Sequence, residues 1–199
     1  MAILVTGCLL AWLLLFWNPD LDKGQATINP ALDAEPTGGD FSLNSSRGPV
    51  ALSDYRGKVV LLYFGYTWCP DICPTTLAMI GTTLSAMDEA HKDRIQPLFI
   101  SVDPDRDTPQ RLQEYVEYFY PSLLGLTGTK SEIDDIVARY GAAYRIVDKK
   151  DDQPYVVDHT ADTYIIDKQG KLVRRLAHGS SSEEILGALG PLLQENLSR

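Results

Sequence analysis

Val59-Val60-Leu61-Leu62-Tyr63-Phe64-Gly65-Tyr66-Thr67-Trp68-Cys69-Pro70-Asp71-Ile72-Cys73-Pro74 joins an unbroken apolar run to two cysteines four residues apart. Residues 59–64 read as a strand buried on both faces, and Pro74 reads as the first residue of a helix, where its missing N–H costs no hydrogen bond. A doubly buried strand feeding a helix belongs to a sheet of parallel strands crossed by helices. The two thiols then sit at the amino end of a helix. Its dipole favours thiolate, the form that attacks disulfides and binds metal.

Outward from this unit, α and β segments alternate. Upstream, residues 41–43 and 50–52 read as short strands, and Tyr55-Arg56-Gly57-Lys58 as a turn. Downstream the pattern predicts a helix over 74–90, a strand over 95–102, a helix over 109–119 capped by Thr108, and a strand over 124–126. A helix over 130–140 ending at Gly141 follows, then strands over 143–147 and 155–157 and a hairpin of 163–166 with 172–176. A last helix over 182–197 carries Ser181 and Glu184 at capping-box spacing. Repeated βαβ units, then a hairpin and a closing helix, predict an α/β thioredoxin-like fold with an added amino-terminal β-hairpin.

The chain has 199 residues, 44% of them hydrophobic, enough for one core with a terminal appendage. Its 27 acidic and 18 basic residues give a formal charge of −9, and no cluster of Lys and Arg suits a phosphate backbone, which argues against nucleic acid as a partner. Residues 2–17 carry no charge, and at about 1.5 Å per residue reach the short end of a membrane span. We expect a transmembrane anchor over 1–17, with a cleaved signal segment as the competing reading. A Pro- and Gly-containing tether over 18–39 follows, then one domain over 40–199, exported to the periplasmic side of the membrane.

With Cys8 assigned to the anchor, the globular part keeps Cys69 and Cys73 alone, so a disulfide framework is excluded and a redox couple or a metal site remains. Disulfide enzymes of this fold usually space their cysteines two residues apart; here the gap is three. On a helical turn, positions i and i+4 hold their Cβ atoms about 5–6 Å apart, a span that a thiophilic ion bridges and that a modest backbone adjustment closes to a disulfide. Two sulfurs under-coordinate zinc or a cluster, but Cu(I) accepts two or three ligands. Of the three histidines, His91 ends a helix and faces solvent, and His178 reads as a loop or capping residue. His159, in Val157-Asp158-His159-Thr160, precedes the strand that enters beside the cysteine loop, so it is either a third ligand or a buried histidine bonded to Asp158 or backbone.

The run from Phe64 to Pro74, the segment Ser101-Val102-Asp103-Pro104-Asp105-Arg106-Asp107-Thr108-Pro109, and Asp158-His159-Thr160 with Tyr164 together resemble the Sco/SenC copper-binding proteins over about residues 36–197. The resemblance implies that Cys69, Cys73 and His159 hold copper, as Cu(I) or Cu(II), and that the protein is a metallochaperone for the binuclear copper site of cytochrome c oxidase. Implied partners are the copper-bearing oxidase subunit and either another copper chaperone or a thioredoxin-like reductant. Asp71 and Asp158 are candidates for an oxygen ligand of Cu(II) or for orienting the imidazole. Tyr66 and Trp68 either shield the metal, offer a docking surface, or simply pack.

Three other functions use the same residues. A thiol-disulfide oxidoreductase would use Cys69 and Cys73 to reduce client cysteines, although residues 158–163 lack the cis-proline that such enzymes place before this strand. A peroxidase of this fold needs Pro-x-x-x-Thr-x-x-Cys, and neither cysteine has it. A copper or redox sensor would read out through protein binding.

Overall fold

The structure, a computed structural model, describes residues 36–147 and 155–194. The expected anchor over 1–17 and most of the tether lie outside the described residues. Among the described residues, no helix is long and apolar enough to cross a membrane. Residues 36–39, at the tail of the expected tether, are fixed to the domain: Gly38 N–H donates to Arg139 O at 2.9 Å and the Tyr140 hydroxyl to Gly39 O at 3.0 Å.

An amino-terminal hairpin, β1 (Ser42–Ser45) with β2 (Gly48–Ala51), opens the domain and leads through a 3₁₀ turn, Leu52–Tyr55, into β3 (Val59–Gly65). The order then runs α1 (Ile72–Ser85), α2 (Glu89–Lys92), β4 (Ile95–Ser101), α3 (Pro109–Glu117), β5 (Leu124–Leu126) and α4 (Lys130–Arg139). It continues β6 (Tyr144–Val147), β7 (Val156–His159), β8 (Thr163–Ile166), β9 (Leu172–Leu176) and α5 (Ser182–Gln194). Five strands form the main sheet in the order β5-β4-β3-β8-β9, with β3 parallel to β4 and antiparallel to β8. β6 and β7 form a separate antiparallel ribbon. This is the thioredoxin-like arrangement with the added hairpin.

All seven residues of β3 are buried, as its unbroken apolar run requires of a strand covered on both faces. Alternation sends Val59 and Leu61 to one side, where they meet Ile80 and Leu84 of α1 and Ile185, Leu189 and Leu193 of α5. Val60, Leu62 and Phe64 face the other core with Leu98, Ile100, Ile133 and Tyr140. Each fully buried aliphatic side chain contributes about 1.5–3 kcal/mol, so the strand bearing the cysteine loop is firmly held in the core. At its end Gly65 leaves no room for a Cβ, which would lie 2.7 Å from both Cys73 Sγ and a Phe99 ring carbon.

Several expected boundaries shift, three of them near the cysteines and His159 or in the helix that follows. α1 begins at Ile72, not Pro74, because the Asp71 carbonyl accepts from both Thr75 N–H (3.2 Å) and the Thr75 hydroxyl (2.9 Å), which places Pro74 third in the first turn, where its missing N–H is still harmless. That helix stops at Ser85 instead of running to 90, since Asp88 is extended and its carboxylate accepts from His91 N–H, capping α2 as a separate turn. β7 runs to His159 rather than ending at 157, because the ladder with β6 pairs Asp158 with Arg145 and His159 with Tyr144. The Thr108 and Ser181 caps form as expected, accepting from Arg111 N–H and Glu184 N–H.

Candidate metal centre

The cysteine loop is built by two neighbours. β3 ends in the core at Gly65, and α1 begins at Ile72, so the six residues between are held at both ends. The early start of α1 puts Cys73 inside the first helical turn, and its N–H points at Cys69 Sγ, 3.5 Å away. Cys69 sulfur thus occupies the position of an anion at a helix amino terminus.

His159 comes from the other side, at the end of β7. Its Nδ1 lies 3.0 Å from Thr160 O, and a carbonyl only accepts, so Nδ1 donates there and Nε2 is the ring nitrogen turned to the sulfurs. That Nε2 lies 3.3 Å from Cys73 Sγ. Tyr63 and Tyr66 meet the imidazole edge-on, at 6.2 and 5.8 Å between ring centres. One ligand atom from each of Cys69, Cys73 and His159 lies within 4.8 Å of the others, the two sulfurs buried and the imidazole half-buried. Both cysteines are free thiols.

The remaining candidates go elsewhere. His91 pairs with Asp88 at 2.6 Å, and His178 meets the Thr76 hydroxyl at 3.1 Å. Asp158 does not orient the imidazole: strand alternation turns it away from His159, and its carboxylate pairs with Arg145 at 2.7 Å. Asp71 is exposed and holds the helix start through its carbonyl. Tyr66 is buried and its hydroxyl accepts from Val157 N–H at 3.3 Å, while Trp68 stays 55% exposed beside Cys69, with the Arg111 guanidinium 4.5 Å from its ring centre.

Two cysteine sulfurs and an imidazole nitrogen within 4.8 Å of one another are a donor set for a soft metal ion. The family model described as SCO1/SenC matches residues 29–194. The chain belongs to the SCO1/SenC family. A SCO2-like protein of Rickettsia conorii is 40% identical over 161 residues, 80% of this chain and 78% of that one. The mitochondrial SCO1 homolog of Mus musculus is 35% identical over 197 residues, 98% of this chain and 69% of that one. The crystal structure of ScoI from Arabidopsis thaliana, solved with copper bound, superposes with a TM-score of 0.72 at 34% identity, covering 80% of this chain and 99% of that one.

In this SCO1/SenC domain the two thiols are electrostatically unequal. The Cys69 thiol is pulled down to about 3, first by the hydrogen bond from Cys73 and, against burial, also by His159 and the Asp71 N–H. Burial pushes Cys73 far up, and the neighbouring Cys69 sulfur adds to the rise. The asymmetry favours thiolate at Cys69 and thiol at Cys73 in the reduced protein. Reduced protein treated with limiting iodoacetamide is expected to be carboxamidomethylated at Cys69, at a rate nearly flat from about pH 5 to about pH 8. An ordinary thiol instead gains about tenfold per pH unit over that range. Peptide mapping that finds Cys73 modified first would contradict this asymmetry.

One part of the site escaped the sequence reading. Asp103 and Asp107 are buried, and Asp107 accepts from Thr67 N–H (2.9 Å), the Thr67 hydroxyl (2.6 Å) and the Ser101 hydroxyl (2.7 Å). The available signal was a run with three aspartates and an arginine between a core strand and a capped helix.

Proposed function

We propose that this SCO1/SenC protein takes up copper through Cys69, Cys73 and His159 and delivers it to the binuclear copper site of cytochrome c oxidase. The observation carrying this reading is the convergence of the three donors within 4.8 Å, with Nε2 turned to the sulfurs. Two thiolates and an imidazole make a trigonal set suited to Cu(I), with space for a further ligand on Cu(II). Neither Asp71 nor Asp158 is directed to supply it. Copper in the Arabidopsis thaliana relative supports the choice of ion. We further propose that residues 1–17 anchor the protein and 18–35 tether it, holding the domain at the periplasmic face, where the copper-bearing oxidase subunit is met.

The inequality of the thiols favours one second reading, reduction of a client disulfide. Cys69 thiolate would attack a client sulfur, forming a mixed disulfide and releasing one client thiolate. Cys73, giving up its proton, would then attack Cys69 sulfur, releasing the second client thiolate and leaving Cys69 and Cys73 oxidised as a disulfide. Deleting the protein separates the two. Oxidase activity is expected to fall and to recover when copper is added to the medium. Recovery with an added thiol reductant but not with copper would overturn delivery in favour of the redox role.

A further inference from the structure

His159 lies on a ribbon that is not part of the main sheet, since β7 pairs with β6 alone. The distance from its imidazole to the two sulfurs therefore depends on what holds the ribbon against the cysteine loop. One link is the hydrogen bond from Val157 N–H to the Tyr66 hydroxyl at 3.3 Å. The other is made at the start of β7, by Tyr155, and it runs through the acidic segment after β4.

Arg106 is the centre of that link. Its Nε donates to Asp103 Oδ2 and its Nη1 to Tyr155 O at 2.9 Å, while the Tyr155 hydroxyl donates to Asp103 Oδ1 at 2.7 Å. The guanidinium carbon sits 3.5 Å from the centre of the Tyr155 ring, 5.6 Å from that of Tyr66 and 5.8 Å from that of Trp68. One cation thus touches the strand that carries His159 and both aromatic residues of the loop that carries Cys69. Asp103 is 1% exposed and cannot be left without this partner, so the closed triangle of Arg106, Asp103 and Tyr155 has one low-energy arrangement. Four residues of extended strand, about 13 Å, separate Tyr155 from His159, and a strand of that length moves as a unit.

We propose that Arg106 is a positioning residue for His159, acting through Asp103 and Tyr155 to set the gap between the imidazole and the two cysteine sulfurs. The inference rests on the reading of Cys69, Cys73 and His159 as copper ligands. Lysine cannot replace Arg106. A single ammonium does not supply two donors in a plane together with a flat face for Tyr155.

The test compares wild type with Arg106→Lys, Tyr155→Phe and His159→Ala, with Leu193→Ala as a control that loosens the distant core beside α5. In reduced, metal-free protein, the ring ¹⁵N shifts of His159 are expected to move or split in Arg106→Lys and Tyr155→Phe and to stay in place in Leu193→Ala. Cu(I) affinity, measured by competition with a chromophoric chelator, is expected to fall about tenfold in the two brace variants, the effect typical of losing a group that orients a metal ligand. Tyr155→Phe keeps the ring and its packing, so it decides the matter if Arg106→Lys does not fold. Unchanged ring shifts and unchanged affinity in folded Tyr155→Phe would overturn the proposal. Unchanged copper affinity in His159→Ala would instead overturn the ligand reading, and the ring shifts would still judge the brace.

Discussion

Cys69→Ser, Cys73→Ser and His159→Ala are each expected to weaken Cu(I) binding by at least about a hundredfold. Structural zinc sites with four protein ligands bind with about 10–16 kcal/mol, roughly 3 kcal/mol per donor, and about 1.4 kcal/mol is a factor of ten. With three donors in place of four, each carries a larger share, and nothing near the site compensates. Asp158 is committed to Arg145, and the other described histidines are bonded to Asp88 and Thr76. The two serine variants leave a hard, protonated oxygen where copper needs soft sulfur. His159→Ala removes the donor beside Cys73 and opens a gap between the Tyr63 and Tyr66 rings, which water can fill. The measurement is anaerobic Cu(I) competition on reduced protein. Affinity unchanged in His159→Ala would remove the imidazole from the ligand set and leave a two-sulfur site. In the same variants, reduction of a model disulfide by the protein separates the readings: both serine variants should lose it, and His159→Ala should retain it.

Much of this site could be read from the sequence because the residues that make it are tied to strong local signals. The unbroken apolar run before Gly65 required a buried strand, and the spacing of Cys69 and Cys73 is the spacing of neighbours on a helix face. The structure brings the two sulfurs together differently: Cys73 lies in the first turn of α1, but Cys69 lies in the loop before it and faces the Cys73 N–H from beyond the helix end. His159 was less determined. Local sequence left a ligand and an ordinary buried histidine equally open; the resemblance favoured the ligand, and the proximity of Nε2 to Cys73 comes only from the long-range placement of the β6–β7 ribbon, 86 residues downstream. Asp103, Arg106 and Asp107 lie in a segment that carried the resemblance, but their roles were not legible in it. A run of charges beside a helix cap reads as solvated surface, and only the packing of β3, β4 and Tyr155 around it turns two carboxylates inward. Helix ends failed for a related reason: Asp88 and the Asp71 carbonyl offered better hydrogen bonds than continuing, or delaying, the helix.

Asp107→Ala is expected to cost about 3–5 kcal/mol of folding stability, the range seen when one member of a buried, hydrogen-bonded charge cluster is removed. Asp107 is fully buried, and its two oxygens take three hydrogen bonds, two of them from Thr67, which lies two residues before Cys69. Alanine leaves the Thr67 N–H, the Thr67 hydroxyl and the Ser101 hydroxyl without an acceptor, at about 1–3 kcal/mol for each that stays dry. It also strips Arg111, whose Nε is 3.9 Å from Asp107 and donates to the Thr67 hydroxyl at 2.7 Å, of its counter-charge. Against a total of about 5–15 kcal/mol for a domain, the variant is left marginal. Asp107→Asn keeps the shape and one acceptor oxygen, so its loss should be about half as large. Urea unfolding of the reduced, metal-free protein gives both values, and the order wild type, Asn, Ala is the expected result. Because Thr67 is the residue released, Cu(I) affinity should fall in the folded fraction of Asp107→Asn as well. A loss below about 1 kcal/mol in Asp107→Ala would mean that water replaces the carboxylate at no cost. In that case the cysteine loop is held by β3 and α1 alone.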